Sequence, residues 1–572
     1  MVVATERPQT EKRLTIQTAE IAAQTLTIRS LDWDRDRFDI EFGLQNGTTY
    51  NSFLIRGDKV ALVDTSHAKF RQLYLDTLKG AIDPAQIDYL VVSHTEPDHS
   101  GLVADLLALN PNITVVASKV AIQFLENLIH QPFSKLLVKS GESLDLGQGH
   151  VLEFLNAPNL HWPDTIFTYD HGTQTLYTCD AFGMHYCSDD LFDADLGAIE
   201  PDFRFYYECL MAPNARSVLG AMKRMDALPG YHTIATGHGP LLRHNVVELT
   251  GRYRHWSQTK AEAETTAAVF YVSDYGYSDR LSQSIAKGIT KTGVAVEMMD
   301  LKAADPQELR ELVERSVALV LAAPPQGECE AAIGTILTVA NNKQRIGVFE
   351  SGGGQDEPSY PLFNRFRDLG LKPAFDVIRI STKPQAFTYQ LCEEAGTDLG
   401  QALMVKETVK QMKSLDSDLD KALGRLSGGL YIITAKKGDV ASAMLASWVV
   451  QASFQPLGIT IAVAKDRAIE SLMQVGDRFV LNILEEGNYG HLMRHFLKRF
   501  GPGEDRFAGV ETQQAINGSP ILSDALAYLE CQVSSRMDCG DHWLVYSAVD
   551  NGRVSKENAL TAVHHRKVGN HY

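Results

Sequence analysis

Short apolar runs of strand length alternate with stretches of helical spacing through the first part of the chain. The runs 49–55, 60–64, 89–92, 113–117, 166–169 and 175–177 are rich in Val, Ile, Leu, Thr and Tyr and predict strands. Between them, 70–78 and 102–109 repeat apolar residues every three or four positions and predict helices, the second stopped by Asn110-Pro111. This predicts an α/β domain over 1–255. The polar, helix-favouring stretch 252–266 reads as a linker. A new series then opens with a strand at 269–272, a helix near 279–291, and strands at 294–299, 317–321, 346–349 and 375–380. Its β-loop-α rhythm predicts a doubly wound parallel sheet over 266–405, whose ligands would sit at the carboxyl ends of the strands. The Lys-, Asp- and Ser-rich stretch 405–422 reads as a solvated helix or linker. Beyond it, β-rich runs at 429–434, 459–463, 479–483, 528–533 and 543–549 come with few helices and predict a small barrel over 420–572.

Composition agrees with a multi-domain chain: 572 residues with 44% hydrophobic and 22% charged content suffice for three or four cores. With 71 acidic against 54 basic residues the formal charge is −17, which argues against nucleic acid as a partner. The seven cysteines include no Cys-x-x-Cys pair, so neither a disulfide framework nor a thiolate zinc site is expected, and a reducing compartment is. The first residues lack an apolar signal core, and runs such as 317–323 are too short to span a bilayer. A cytoplasmic protein without membrane insertion is the expectation.

The densest chemistry follows the 89–92 run, in Ser93-His94-Thr95-Glu96-Pro97-Asp98-His99-Ser100-Gly101. His94, Glu96, Asp98 and His99 are four potential ligands within six residues, and a cation is the partner that offsets desolvating them together. Downstream, His161, Asp180 and His238 each stand beside a predicted strand. Taken alone, these seven residues also suit a zinc hydrolase. After the 269–272 strand, Ser273, Asp274, Tyr275, Gly276, Tyr277 and Ser278 lead into a helix, the arrangement that cradles a phosphate through backbone N–H groups. Near 447–454, Ser447 and Ser453 offer hydroxyls and Trp448 a flat apolar face.

The order and context of the seven ligands resemble the metallo-β-lactamase-like domain of flavodiiron proteins. The resemblance implies an αββα sandwich in which His94, Glu96, His161 and a bridging Asp180 hold one iron, while Asp98, His99, Asp180 and His238 hold the other. Glu96 matches that family's replacement of a histidine by glutamate, which raises the hard-oxygen share and favours iron over zinc. The 273–278 loop resembles the phosphate loop of flavodoxins, which implies FMN. In that likeness Ser351, Gly352, Gly353 and Gly354 flank the flavin ring, although glycines stand where an aromatic side chain often stacks. The stretches 445–456, 479–484 and 540–543 resemble the flavin reductase family, a split β-barrel holding FMN or FAD, which implies flavin contacts at Ser447, Trp448, Ser453 and Asn482.

Together the three likenesses resemble the photosynthetic three-domain flavodiiron proteins of cyanobacteria. They imply electron flow from NAD(P)H, or from reduced ferredoxin, through a second flavin and FMN to two irons, with four-electron reduction of dioxygen to water as an electron sink. Nitric oxide is the alternative substrate, and a non-catalytic partner subunit the alternative role. The likeness also implies a head-to-tail homodimer, or a heteromer with a paralogue, that brings one chain's FMN to the other's irons.

Overall fold

Strand Thr48–Arg56 is buried on both faces, and its alternation explains the first part of the molecule. Phe53 and Ile55 point into one core and Leu54 into another, because a strand sends successive side chains to opposite sides. A strand covered on both faces reads as a continuous apolar run rather than an alternating one. The structure is a computed structural model that describes residues 13–35, 37–38, 42–262, 266–272, 277–302, 304–322, 329–351, 361–380, 383–413 and 418–566. The chain divides after Glu262 into two compact units.

In the first unit, the described residues form a seven-stranded sheet that runs in order Leu14–Ala22, Thr25–Asp32, Thr48–Arg56, Val60–Val63, Tyr89–Val91, Thr114–Ala117 and Ser134–Leu137. A second sheet has five strands, ending with Thr175–Cys179 and Thr233–Thr236 as a parallel pair. Phe53, Val63, Val91, Leu152, Phe154, Ile166 and Tyr177 fill the space between the sheets. On the outer face of the first sheet, Leu54, Leu62 and Leu90 pack against helix residues Tyr74, Leu78, Leu106 and Leu125. The result is the expected αββα sandwich.

Three features of this unit were not predicted. The strands Leu14–Ala22 and Thr25–Asp32 carry Thr, Gln, Glu and Arg within their runs and so lack an apolar signature. Helix Leu196–Tyr206 passes into a π-helical turn at Tyr207–Met211. The stretch read as a linker over 252–266 is instead mostly helix, Val246–Ala261, with Val246, Leu249, Tyr253 and Ser257 buried. Their spacing of three and four makes a buried stripe that the polar composition hides.

In the second unit, Ala295–Asp300, Thr266–Tyr271, Ala318–Ala322 and Arg345–Ser351 pair in that order, all parallel. Val269 and Tyr271 face one core, and Ala268 and Phe270 the other. Helix Ala386–Lys413 runs well into the stretch read as a solvated helix or linker, and Asp418–Leu423 adds a short second helix. An antiparallel sheet then follows the order Val440–Ala446, Tyr431–Lys437, Arg478–Ile483, Ala527–Asp538, His542–Val554, Leu457–Ala464 and Val449–Phe454. Its first and last strands contribute Met444 and Val449 to one core, so the sheet curls around it. No helix among the described residues is long and apolar enough to cross a membrane.

Candidate metal centre

The seven expected ligands all emerge where strands end. His94 stands three residues past strand Tyr89–Val91, and Glu96 precedes the single helical turn Pro97–Ser100 that carries Asp98 and His99. Pro97 suits the first position of that turn, having no N–H to satisfy. Asp180 directly follows Thr175–Cys179, and His238 lies two residues past Thr233–Thr236. His161 lies in the turn before Ile166–Asp170. All seven are buried.

They gather in two clusters. His94, Glu96, His161 and Asp180 each bring a ligand atom within 4.8 Å of the others, as do Asp98, His99 and His238. Glu96 Oε2 lies 3.3 Å from His94 Nε2 and 3.1 Å from His161 Nε2. Asp98 Oδ2 lies 3.3 Å from His238 Nε2. Asp180 divides between the clusters: its Oδ2 is 3.7 Å from the Nε2 atoms of His94 and His161, while Oδ1 is 3.0 Å from His99 and 3.2 Å from His238.

Buried carboxylate oxygens normally accept hydrogen bonds. Here Asp180 Oδ2 and both oxygens of Asp98 are buried without a well-formed one. Such oxygens, set among imidazole nitrogens and shared by one two-sided carboxylate, fit a pair of hard cations. Cys179 lies beside Asp64 and His99, but burial, then the charges of Asp180 and Asp64, push its thiol well up, so it is a poor ligand.

The charges are mutually compensating. Burial would raise the carboxyl of Glu96, yet hydrogen bonds from His161 and His94 hold it well below its usual range. Burial opposes a charge on His238, but Asp180 and Asp98 raise it from 6.5 to about 10.

A surrounding layer fixes the ligands. Asp164, fully buried, takes His94 Nδ1 at 2.8 Å on one oxygen; the other accepts Thr95 N at 2.8 Å and Thr95 Oγ1 at 2.6 Å. His238 donates Nδ1–H to the Thr49 carbonyl at 2.6 Å. Tyr206 donates its hydroxyl to Asp180 Oδ1 at 2.9 Å, and burial, then the Asp180 charge, keeps that phenol protonated. His185 lies between Tyr206 and His238, with ring centroids 4.9 Å from each, and pairs with Thr48 Oγ1 at 2.8 Å. Asp64, at a positive φ of 57°, accepts Ser93 N at 2.8 Å and sets the entry to the ligand turn. Asp64, Asp164, His185 and Tyr206 were not singled out from sequence. Asp164 could have been, lying three residues after His161; Tyr206 and His185 reach the site only through the fold.

The flavin candidates are more dispersed. Ser273, Asp274, Tyr275 and Gly276, and Gly352, Gly353 and Gly354, lie outside the described residues. Tyr277 precedes helix Ser278–Thr290, Ser278 is buried at its start, and Ser351 ends strand Arg345–Ser351. Ser447 is buried beside Trp448 at the end of Val440–Ala446. The Trp448 ring is occupied by protein: His542 packs 5.2 Å away and the Arg566 guanidinium stands 4.9 Å from its centroid. Ser453 donates to the Pro456 carbonyl at 2.6 Å and pairs with Tyr546 at 2.9 Å. Asn482 is spent inside the barrel, donating to Ile432 O and Thr434 Oγ1, both at 3.1 Å, and accepting Leu522 N at 2.8 Å.

Comparison with known proteins supplies the context. The family described as ODP family beta lactamase matches residues 48–239, and the flavin reductase like domain matches 423–570. Diflavin flavoprotein A 1 of Synechocystis sp. PCC 6803 is 69% identical over 565 residues, covering 98% of this chain and 99% of its own. A chain of Nostoc sp. PCC 7120 named as a diflavin flavoprotein, A 3, is 71% identical over 576 residues, with both chains fully covered. Among solved structures, the metal-soaked Flv1 flavodiiron core of Synechocystis superposes with a TM-score of 0.63 at 37% identity, over 69% of this chain and 99% of that one.

Proposed function

Because the chain belongs to the three-domain diflavin flavodiiron proteins of cyanobacteria, oxidoreductases that work with flavins and a diiron centre, we propose that it reduces dioxygen to water with electrons from NAD(P)H. In the balanced reaction, dioxygen, two NAD(P)H and two protons give two water molecules and two NAD(P)⁺. His94, Glu96 and His161 would hold one iron and Asp98, His99 and His238 the other, with Asp180 between them. Iron bound there supplies redox chemistry that the side chains lack. Asp164 and the Thr49 carbonyl keep Nε2 of His94 and His238 turned inward. The burial of all seven ligands excludes bulk water and so limits leakage of partly reduced oxygen.

One observation carries this reading: Asp180 presents one oxygen to each of two buried ligand clusters, and Glu96 supplies a carboxylate to the first. We further propose the division 1–255, 266–405 and 420–572, with FMN in the second part and FMN or FAD in the third. A head-to-tail dimer would complete the electron path. Purified protein tests the reading through iron, zinc and flavin counts per chain, followed by NAD(P)H consumption under dioxygen or nitric oxide with a peroxide assay. Iron, flavin and peroxide-free oxygen uptake are the expected result. Zinc without iron, or stoichiometric peroxide, overturns it, and faster turnover with nitric oxide reassigns the substrate.

A further inference from the structure

The two halves of the ligand cluster are backed by different groups. Behind His94 stands a carboxylate: Asp164, 0% exposed, accepts the Nδ1 proton at 2.8 Å and is locked by two hydrogen bonds from Thr95. Behind His238, Nδ1 meets the neutral carbonyl of Thr49, at 2.6 Å. An imidazole that donates to a carboxylate is the more basic ligand. On the bridging residue the bias has the same sense. Tyr206 donates to Asp180 Oδ1, the oxygen facing His99 and His238, and not to Oδ2, which faces His94 and His161. A hydrogen bond draws electron density from the oxygen that accepts it.

We infer that Asp164 and Tyr206 are positioning residues that make the two iron sites unequal: the His94, Glu96 and His161 half is electron-rich and reduced last, and the Asp98, His99 and His238 half is electron-poor and reduced first. This rests on the diiron reading above. An electron arriving from flavin therefore settles first on the side of Asp98 and His238.

The test is an anaerobic redox titration of the holoprotein with dithionite and mediators, following the mixed-valent state by EPR and Mössbauer spectra. Each step is Fe(III) plus one electron, taken from dithionite, to give Fe(II). Asp164→Asn weakens the hydrogen-bond acceptor behind His94 and raises the lower midpoint. Tyr206→Phe returns charge to Asp180 Oδ1 and lowers the upper midpoint. Both substitutions narrow the gap, and the comproportionation constant falls about tenfold in each. In chelator-treated protein titrated with Fe(II), Asp164→Asn weakens the tighter equivalent by about 10- to 100-fold, whereas Tyr206→Phe leaves it in place. Because Tyr206→Phe keeps the ring, it stands as the deciding variant if Asp164→Asn folds poorly. A gap that stays constant or widens in Tyr206→Phe overturns the inference while iron content and oxygen reduction stand. A wild-type protein that holds no iron pair overturns both readings.

Discussion

Gly237 leaves the ligand cluster almost no slack. A Cβ at that position would meet His99 Cε1 at 2.6 Å and the Cys179 backbone at 3.1 Å, so only glycine lets the turn before His238 pass so close to the His99 ring. Gly237→Ala is therefore expected to push His99 out of place and to lower iron content from two per chain toward one, measured by metal analysis of folded protein. Protonation offers a second check at this scale. The His238 imidazole is raised from 6.5 to about 10 by Asp180 and Asp98 against the opposing effect of burial. Its protonated form contributes stability that is fully present below pH 6.5 and is lost as pH rises through about 10. Chelator-treated protein should accordingly lose thermal stability across that window. Iron-loaded protein should not, because the metal takes the place of the proton on Nε2. Single residues were the most legible layer of this site. Seven of its side chains announce themselves as His, Asp or Glu beside strand-like runs, whereas Asp164, Tyr206 and His185 act through contacts that sequence separation conceals.

Among the elements, strand Thr48–Arg56 holds the second half of the site together. Asn51 Nδ2 donates to the carbonyls of Thr236 and Gly239 at 2.9 and 3.0 Å, and Thr49 Oγ1 accepts Gly239 N at 2.8 Å, so one strand clamps the turn bearing His238. Asn51→Ala removes the shortest side-chain donor to the Gly239 carbonyl and the Nδ2 donor to the Thr236 carbonyl, at a cost of about 1–3 kcal/mol, to be read by denaturant unfolding. The parallel strands were easy to read because both their faces are buried and their runs are apolar throughout. Helix Val246–Ala261 was misread because Arg252 pairs with Glu248 and Glu200, and Arg254 with Asp226, which gives a charged outer face to a segment anchored by fully buried Tyr253. Composition averages over the two faces; spacing separates them.

At the scale of the whole molecule, the parallel sheet and the barrel of the second unit are joined by a buried ion network. Glu470 of the barrel pairs with Lys291 and Arg536, and Glu393, on helix Ala386–Lys413, pairs with Lys291 and with Lys287 at 3.0 Å. Burial opposes ionisation of Glu470, but the charges of Lys291 and Arg536 hold it well below the usual carboxylate range. Glu470→Ala leaves two buried cations short of a partner, and a loss of about 3–5 kcal/mol is expected in calorimetry. Long-range pairs of this kind, with Lys291 and Glu470 179 positions apart, leave no trace in local sequence pattern. The proposed head-to-tail dimer gives the other test here: if it completes the proposed electron path, a variant that stays monomeric should keep its iron and flavin yet lose the proposed NAD(P)H-driven oxygen uptake.

The ion network also bears on how the flavin electrons travel. Five charged side chains grip both sides of the joint, so the barrel does not depend on a diffusive swing to reach the parallel sheet. On the proposed electron path, transfer between the two flavins should then run at the same rate in buffer and in glycerol, because solvent friction slows a swinging arm and leaves a tunnelling step between fixed cofactors untouched.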